Sequence, residues 1–197
     1  MAIASHDSRP APGGTVTANV KGTNFVALRA FALAHDATDR LRAGLEPEAR
    51  VAFDEALAVG WYPASTFVAT LHALGPALGE APEVTARRYG RFAAEHDLTT
   101  LHRVFFRFAN PIYVLEKSTQ YWSRFHDRGE WRIARPGSQS AVAELVGAGI
   151  VDAIFCETLL AYITRLFELV GARQPRWSHT KCRANGAESC VFVGEWS

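Results

Sequence analysis

The sequence predicts an α+β fold: a helical N-terminal part followed by a small antiparallel sheet with a long helix packed on it. Three observations carry this. Residues 25 to 125 show helical spacing cut by Gly and Pro. Residues 130 to 135 alternate as a strand does, and a turn signal at Asn185-Gly186 marks a hairpin further on. Between those strands runs one long segment with a continuous apolar stripe. Helices first, then strands with one helix between them, is the order of an α+β domain.

Each element has a local reason. Gly22 and Thr23-Asn24 lead into a predicted helix from Phe25 to Arg42 that stops near Gly44. Pro47 opens the next, over residues 47 to 59, with Glu46 and Glu48 at its positive end. Trp61-Tyr62-Pro63 interrupts it. Ala64 to Leu74 then spaces Phe67, Leu71 and Leu74 helically. Pro82 starts a helix to Glu95, and Leu98–Phe108 and Ile112–Phe125 follow, parted by Asn110-Pro111. Glu130 to Arg135 places Trp131 and Ile133 on one strand face. Pro136-Gly137 turns the chain into a second strand over Ser140–Gly147. Asp152 is the expected N-cap of a helix ending at Gly171. Its stripe includes Cys156, Leu159, Ile163 and Phe167. Residues 173 to 182 and 188 to 194 form the two arms of the hairpin.

The chain has 197 residues, 48% of them hydrophobic and 21% charged, with a formal net charge of +1. That suits one domain over residues 21–197, preceded by a flexible arm over residues 1–20 rich in Ala, Gly, Pro and Ser. The near-neutral charge argues against nucleic acid and anionic membrane surfaces as partners. The opening residues lack the basic-then-apolar order of a secretory signal, and no apolar run is long enough to span a bilayer, so a cytoplasmic location is expected.

The three cysteines, Cys156, Cys182 and Cys190, all fall in the C-terminal part. Cys182 and Cys190 flank the Asn-Gly turn, His179 precedes Cys182 on the incoming arm, and Cys156 lies on the helix stripe that must face the sheet. Three thiolates and an imidazole suit a closed tetrahedral site, so a structural zinc ion is the expected cofactor, within an element over residues 152–196. Side chains alternate along a strand, so His179 and Cys182 share a side only with a bulge near Thr180-Lys181 or with Cys182 already in the turn. The alternative is three buried free thiols and a surface histidine.

The spacing of Cys156, 22 residues, His179, two residues, Cys182, seven residues and Cys190 resembles the 4-vinyl reductase domain. The resemblance is to the form found in phenol- and xylene-responsive sensor domains of sigma-54 activators. It extends to Cys156-Glu157-Thr158-Leu159, Gly171-Ala172-Arg173 and the hairpin from Cys182 to Phe192. His179 stands where those sensors carry a glutamate, and both residue types ligate zinc. The whole chain is also similar to a family of myxobacterial proteins of this length, through Trp61-Tyr62-Pro63, His102-Arg103-Val104-Phe105 and the Cys182-Arg183-Ala184-Asn185-Gly186 hairpin. The resemblance implies zinc at the four positions, a homodimer, and the fold of haem-based nitric oxide sensors and vesicle-tethering subunits.

It further implies a zinc-braced sensory domain that binds a small hydrophobic molecule and acts through a protein partner. Phe106, Tyr113, Trp122 and Trp131 are the expected pocket residues, each weighed against plain core packing. A tryptophan of the sensors aligns near Arg135, so phenol is not the expected ligand. Two other readings are an adaptor with no small ligand and a tetrapyrrole-related enzyme. The scattered His72, His96, His102 and His126 form no nucleophile–base pair, so no catalytic residue is expected.

Overall fold

Proline, asparagine and aspartate set most of the helix starts. The structure is a computed structural model that describes residues 18–100 and 110–197. Strand β1 (Asn19–Lys21) pairs antiparallel with β2 (Trp61–Pro63), with Val20 opposite Tyr62. Three short helices lie between these strands: α1 (Thr23–Ala34), α2 (Thr38–Ala43) and α3 (Pro47–Glu55). The single helix expected from Phe25 to Arg42 is therefore two. The break is at Asp36, whose φ of +50° is left-handed, and the Ala37 amide bonds back to the Ala32 carbonyl at 2.9 Å. This is the six-to-one closure that usually carries glycine, and aspartate tolerates the conformation better than most residues.

Helix α3 begins on Pro47 as expected but ends at Glu55, because residues 61–63 form a strand rather than a mere interruption. Helix α4 (Ala64–Leu78) runs one turn beyond the expected Leu74 and includes Pro76. Helix α5 (Pro82–Thr100) is continuous through Leu98, where a new helix was expected. Helix α6 (Pro111–Phe125) starts on Pro111, and Asn110 Oδ1 accepts the Tyr113 amide at 2.9 Å.

The sheet has the order β3-β4-β6-β5, all antiparallel. Strands β3 (Glu130–Gly137) and β4 (Ser140–Val146) form a hairpin with Trp131 opposite Leu145 and Ile133 opposite Ala143. On β4 the alternate residues Ala141, Ala143 and Leu145 are buried, which fixes the face turned to the helices. Helix α7 (Ala153–Leu169) crosses that face. Asp152 Oδ1 accepts the Phe155 amide at 2.8 Å, the cap read from the sequence. Gly171, at φ +89°, lets the Ala172 amide reach the Phe167 carbonyl and ends the helix. Strands β5 (Arg176–Lys181) and β6 (Cys190–Glu195) close the chain around a one-turn 3-10 helix, Arg183–Asn185.

Helices α5 and α7 lie against each other closely enough that a Cβ on Gly90 would stand 2.2 Å from the Thr158 carbonyl oxygen. Ion pairs Arg87–Glu157 at 2.6 Å, Arg91–Glu168 at 2.9 Å and Arg165–Glu95 at 2.7 Å join their exposed edges. The main core runs from Phe25, Phe31 and Phe67 in the helical part to Trp122, Phe155 and Phe192 beside the sheet. The expected α+β architecture is present, and no helix of the described residues is long and apolar enough to cross a membrane.

Candidate functional site

Helices α5, α6 and α7 stand over the inner face of β3 and β4 without filling the space between them. They leave a cavity of about 170 Å³. The wall is mostly carbon: Phe67, Val114, Leu115, Trp122, Ile163 and Leu166 are typical of it. The α7 stripe read from the sequence supplies much of one side.

The largest aromatic element of the wall is a fixed stack. Trp122 lies flat on His126, ring centroids 3.7 Å apart and planes within 11°. Trp131 meets Trp122 edge-on at 5.8 Å and Phe192 at 5.7 Å. Trp122 Nε1 donates to the Arg128 carbonyl at 2.7 Å. That carbonyl is placed by Gly129, whose φ of +91° and close passage over Ala148 exclude a side chain.

Polar groups on the wall mostly have partners within the protein. Tyr162 donates its hydroxyl to Asp97 Oδ2 at 3.1 Å, and Tyr89 donates to the Asn24 carbonyl at 3.2 Å. Burial raises both phenols well above their ordinary range, and Asp97 adds to the effect, so both stay protonated donors. Burial acts oppositely on His126 and lowers its imidazole to about 3, against a weaker pull from Asp127. Three wall atoms lack a partner and are closed to solvent: Thr23 Oγ1, His126 Nδ1 and Trp177 Nε1.

Of the four aromatic residues expected to shape a pocket, Trp122 and Trp131 stand on this wall. Tyr113 instead borders a shallow surface depression with Ile112, Glu116 and Trp196. Phe106 lies outside the described residues, as does His102. Arg135 is exposed on β3 and is not part of the described wall. Thr23, Asp97 and Tyr162 were not among the expected pocket residues, and His126 was weighed only as a base. The Asn19–Asp127 hydrogen bonds that bring β1 to residues 126 and 127 join positions 108 apart, which no local pattern records.

A second cluster forms where the N-terminal half of α7 meets the β5–β6 hairpin. The ligand atoms of Cys156, His179, Cys182 and Cys190 all fall within 4.8 Å of one another. Cys156 Sγ is 3.7 Å from Cys190 Sγ and 4.0 Å from Cys182 Sγ. The strand irregularity that this convergence required is present: the β5–β6 register shifts between His179 and Lys181. His179 stacks on Phe192, centroids 4.4 Å apart, with its Nε2 buried and unpartnered. The Cys190 thiol is held low by a hydrogen bond from Cys156, the Arg183 amide at 3.5 Å and the nearby imidazole. Cys156, as the donor in that pair and buried, is pushed up.

No family model and no curated protein matches this chain. Solved structures do. An H-NOX protein from S. oneidensis in the Fe(II)NO ligation state is 16% identical, with a TM-score of 0.66 over 90% of this chain and 99% of that one. The Fe(II) unliganded H-NOX protein from K. algicida is 12% identical, with a TM-score of 0.67 over 90% and 96%. An oxygen-binding H-NOX domain related to soluble guanylate cyclases, in its oxygen complex, is 9% identical, with a TM-score of 0.66 over 89% and 92%. At such identities the likeness establishes the fold and nothing more.

Two expectations are corrected by these findings. The resemblance to the 4-vinyl reductase domain is replaced by likeness to H-NOX domains, since no family model supports the former and the fold matches are of the latter kind. The structural zinc ion at Cys156, His179, Cys182 and Cys190 is likewise withdrawn, because the metal of the matching structures is iron. The physical reason is that three thiols and an imidazole form a donor cluster without selecting one metal, so ligand type and resemblance together pointed to zinc without fixing it.

Proposed function

We propose that this chain is a small-molecule-binding sensory domain, and that its ligand is one compact, largely apolar molecule held in the cavity between α5, α6, α7 and the sheet. The cavity itself carries the reading. Its volume of about 170 Å³ is close to that of an engineered apolar cavity of about 150 Å³ that takes up benzene. It lies below the roughly 300 Å³ at which pockets for drug-sized ligands begin. A fold shared with domains described in Fe(II), NO and oxygen-bound states supports a sensory role.

An iron tetrapyrrole does not fit this wall as the described residues build it. Such a group needs basic partners for its carboxylates. Asp97 is the one charged side chain among the described residues of the wall. His126 is the one imidazole there, and it lies flat against Trp122 rather than facing open space. Binding rather than catalysis is the role that fits: Asp97 is engaged by Tyr162, and His126 is held neutral by burial.

Isothermal titration with toluene tests the reading. Toluene is expected to bind the native protein. Ala93→Phe, which puts a ring into the cavity from α5, is expected to abolish binding while leaving the helical circular dichroism intact. Absence of heat and of any thermal stabilisation by toluene would refute it.

A further inference from the structure

We propose that the turn Leu57-Ala58-Val59-Gly60, with Trp61 and Lys21 at its base, is a lipid-surface anchor that dips into the interface of an uncharged bilayer. The anchor is independent of the cavity and of what the cavity holds.

Tight turns are normally made of Gly, Pro, Asn, Asp and Ser. This one carries no polar side chain from Leu57 to Gly60. It joins α3 to β2, and the Gly60 amide closes it on the Leu57 carbonyl at 2.9 Å. Leu57 is 68% exposed, Val59 78% and Trp61 44%, and Ala58 is exposed between the first two. Exposed apolar residues scattered singly are ordinary, but a run of them on a turn tip is not.

The tip is held in place by the residues beneath it. The Tyr62 hydroxyl accepts the Leu57 amide at 2.8 Å, and the Gly60 carbonyl accepts the Gly22 amide at 3.0 Å. A Cβ on Gly22 would stand 2.0 Å from the Leu57 carbonyl oxygen, and one on Gly60 would stand 2.7 Å from the Tyr62 ring. Two glycines and a tyrosine thus fix the backbone with its apolar side chains turned outward.

The chemistry of the tip favours lipid over protein. A protein interface is partly polar, with about one hydrogen bond per 100–200 Å². Leu57, Ala58 and Val59 offer carbon alone, which hydrocarbon accepts without further demand. The base has the composition of a membrane boundary. Trp61 is an interfacial residue type, Lys21 pairs with it across the β1–β2 ladder, and the Lys21 ammonium lies 4.5 Å from the ring centroid. A lysine stem is long enough to keep that ammonium among phosphate oxygens while the tip enters carbon. Exposed Glu55 precedes the turn and the net charge is +1, so buried carbon rather than attraction to anionic lipid drives the contact.

The test is co-flotation of the full chain with phosphatidylcholine vesicles. The native protein is expected to float, half-bound at about 1 mM lipid, and equally in low and high salt. The double substitution Leu57→Ser, Val59→Ser is expected to lower the partition coefficient by about tenfold or more. Val84→Ser, at a comparably exposed apolar residue on α5, is expected to leave it unchanged. All three residues are exposed, and circular dichroism of each variant checks that it folds. Phosphatidylcholine brominated on its acyl chains is expected to quench the native tryptophan fluorescence, and Trp61→Phe to remove that quenching. Absence of flotation at about 10 mM lipid overturns the anchor. Flotation that survives the double substitution, or that salt abolishes, overturns it as well. So does self-association of the native chain, relieved by the double substitution, in place of flotation, since the tip then meets a second copy.

Discussion

Lowering the pH from 7.5 to 4.5 should destabilise this domain through His126 alone by roughly 3 kcal/mol. The imidazole has an ordinary value of 6.5 and is held at about 3 in the folded chain, chiefly by burial between Trp122 and Phe155. A group whose folded value is depressed is protonated more readily in the unfolded chain. Its contribution is full above about pH 6.5 and is lost as the pH falls toward 3. Between those limits the slope is about 1.4 kcal/mol per pH unit. At pH 4.5 the unfolded chain binds nearly one proton at this site and the folded chain almost none, which gives the figure stated. Glu168, held low by Arg91 and Arg165, loses stability in the same direction at lower pH, so the total slope alone does not isolate the histidine. Urea unfolding at several pH values, compared between the native protein and His126→Gln, does. The native curve should be steeper by about one proton between pH 4 and 6. Equal slopes for the two proteins would show that the imidazole is solvated in the folded state.

Other changes test the packing that frames the site. Gly90→Ala should destabilise the domain by about 1–3 kcal/mol in urea unfolding, although alanine favours helices, because its Cβ meets the Thr158 backbone. Asp152→Ala and Asn110→Ala should each cost about 1 kcal/mol through loss of a helix cap, and the two losses should add because the sites share no partner. Trp131→Ala should enlarge the cavity and cost about 3–5 kcal/mol in the same assay, while shifting toluene affinity.

Elements with a chemical start signal were legible from sequence, and elements closed by tertiary contact were not. Pro47, Pro82, Pro111 and Asp152 mark helix starts that the structure shares. The break at Asp36 was invisible because the left-handed residue is aspartate where glycine is usual. Strand β2 was hidden because Trp61-Tyr62-Pro63 has no alternation long enough to count, and it is a strand only through pairing with β1, some 40 residues earlier. The same reasoning explains α5: the Leu98 start assumed a break that no Gly or Pro supplies, and the helix runs on.

The candidate sites divide in the same way. The Cys156–His179–Cys182–Cys190 convergence followed from a hairpin and a helix stripe, local features that place four donors once the β5 bulge is allowed. Which ion such donors take is not encoded in their spacing, and zinc was read there from the ligand types and the resemblance together. In the cavity, Trp122 and Trp131 were expected from the aromatic-rich segment and its likeness to the sensors' aromatic pocket, and both stand on the wall. Thr23 was not expected, and His126 was weighed only as a base, since a threonine at a helix start and a histidine before an aspartate carry no local sign of this burial. Their burial depends on β1 folding back onto residues 126 and 127 through Asn19 and Asp127. A wall of carbon can be guessed from composition along a stripe. The polar residues beside it are placed by contacts distant in sequence, so their burial emerges only when the chain is closed.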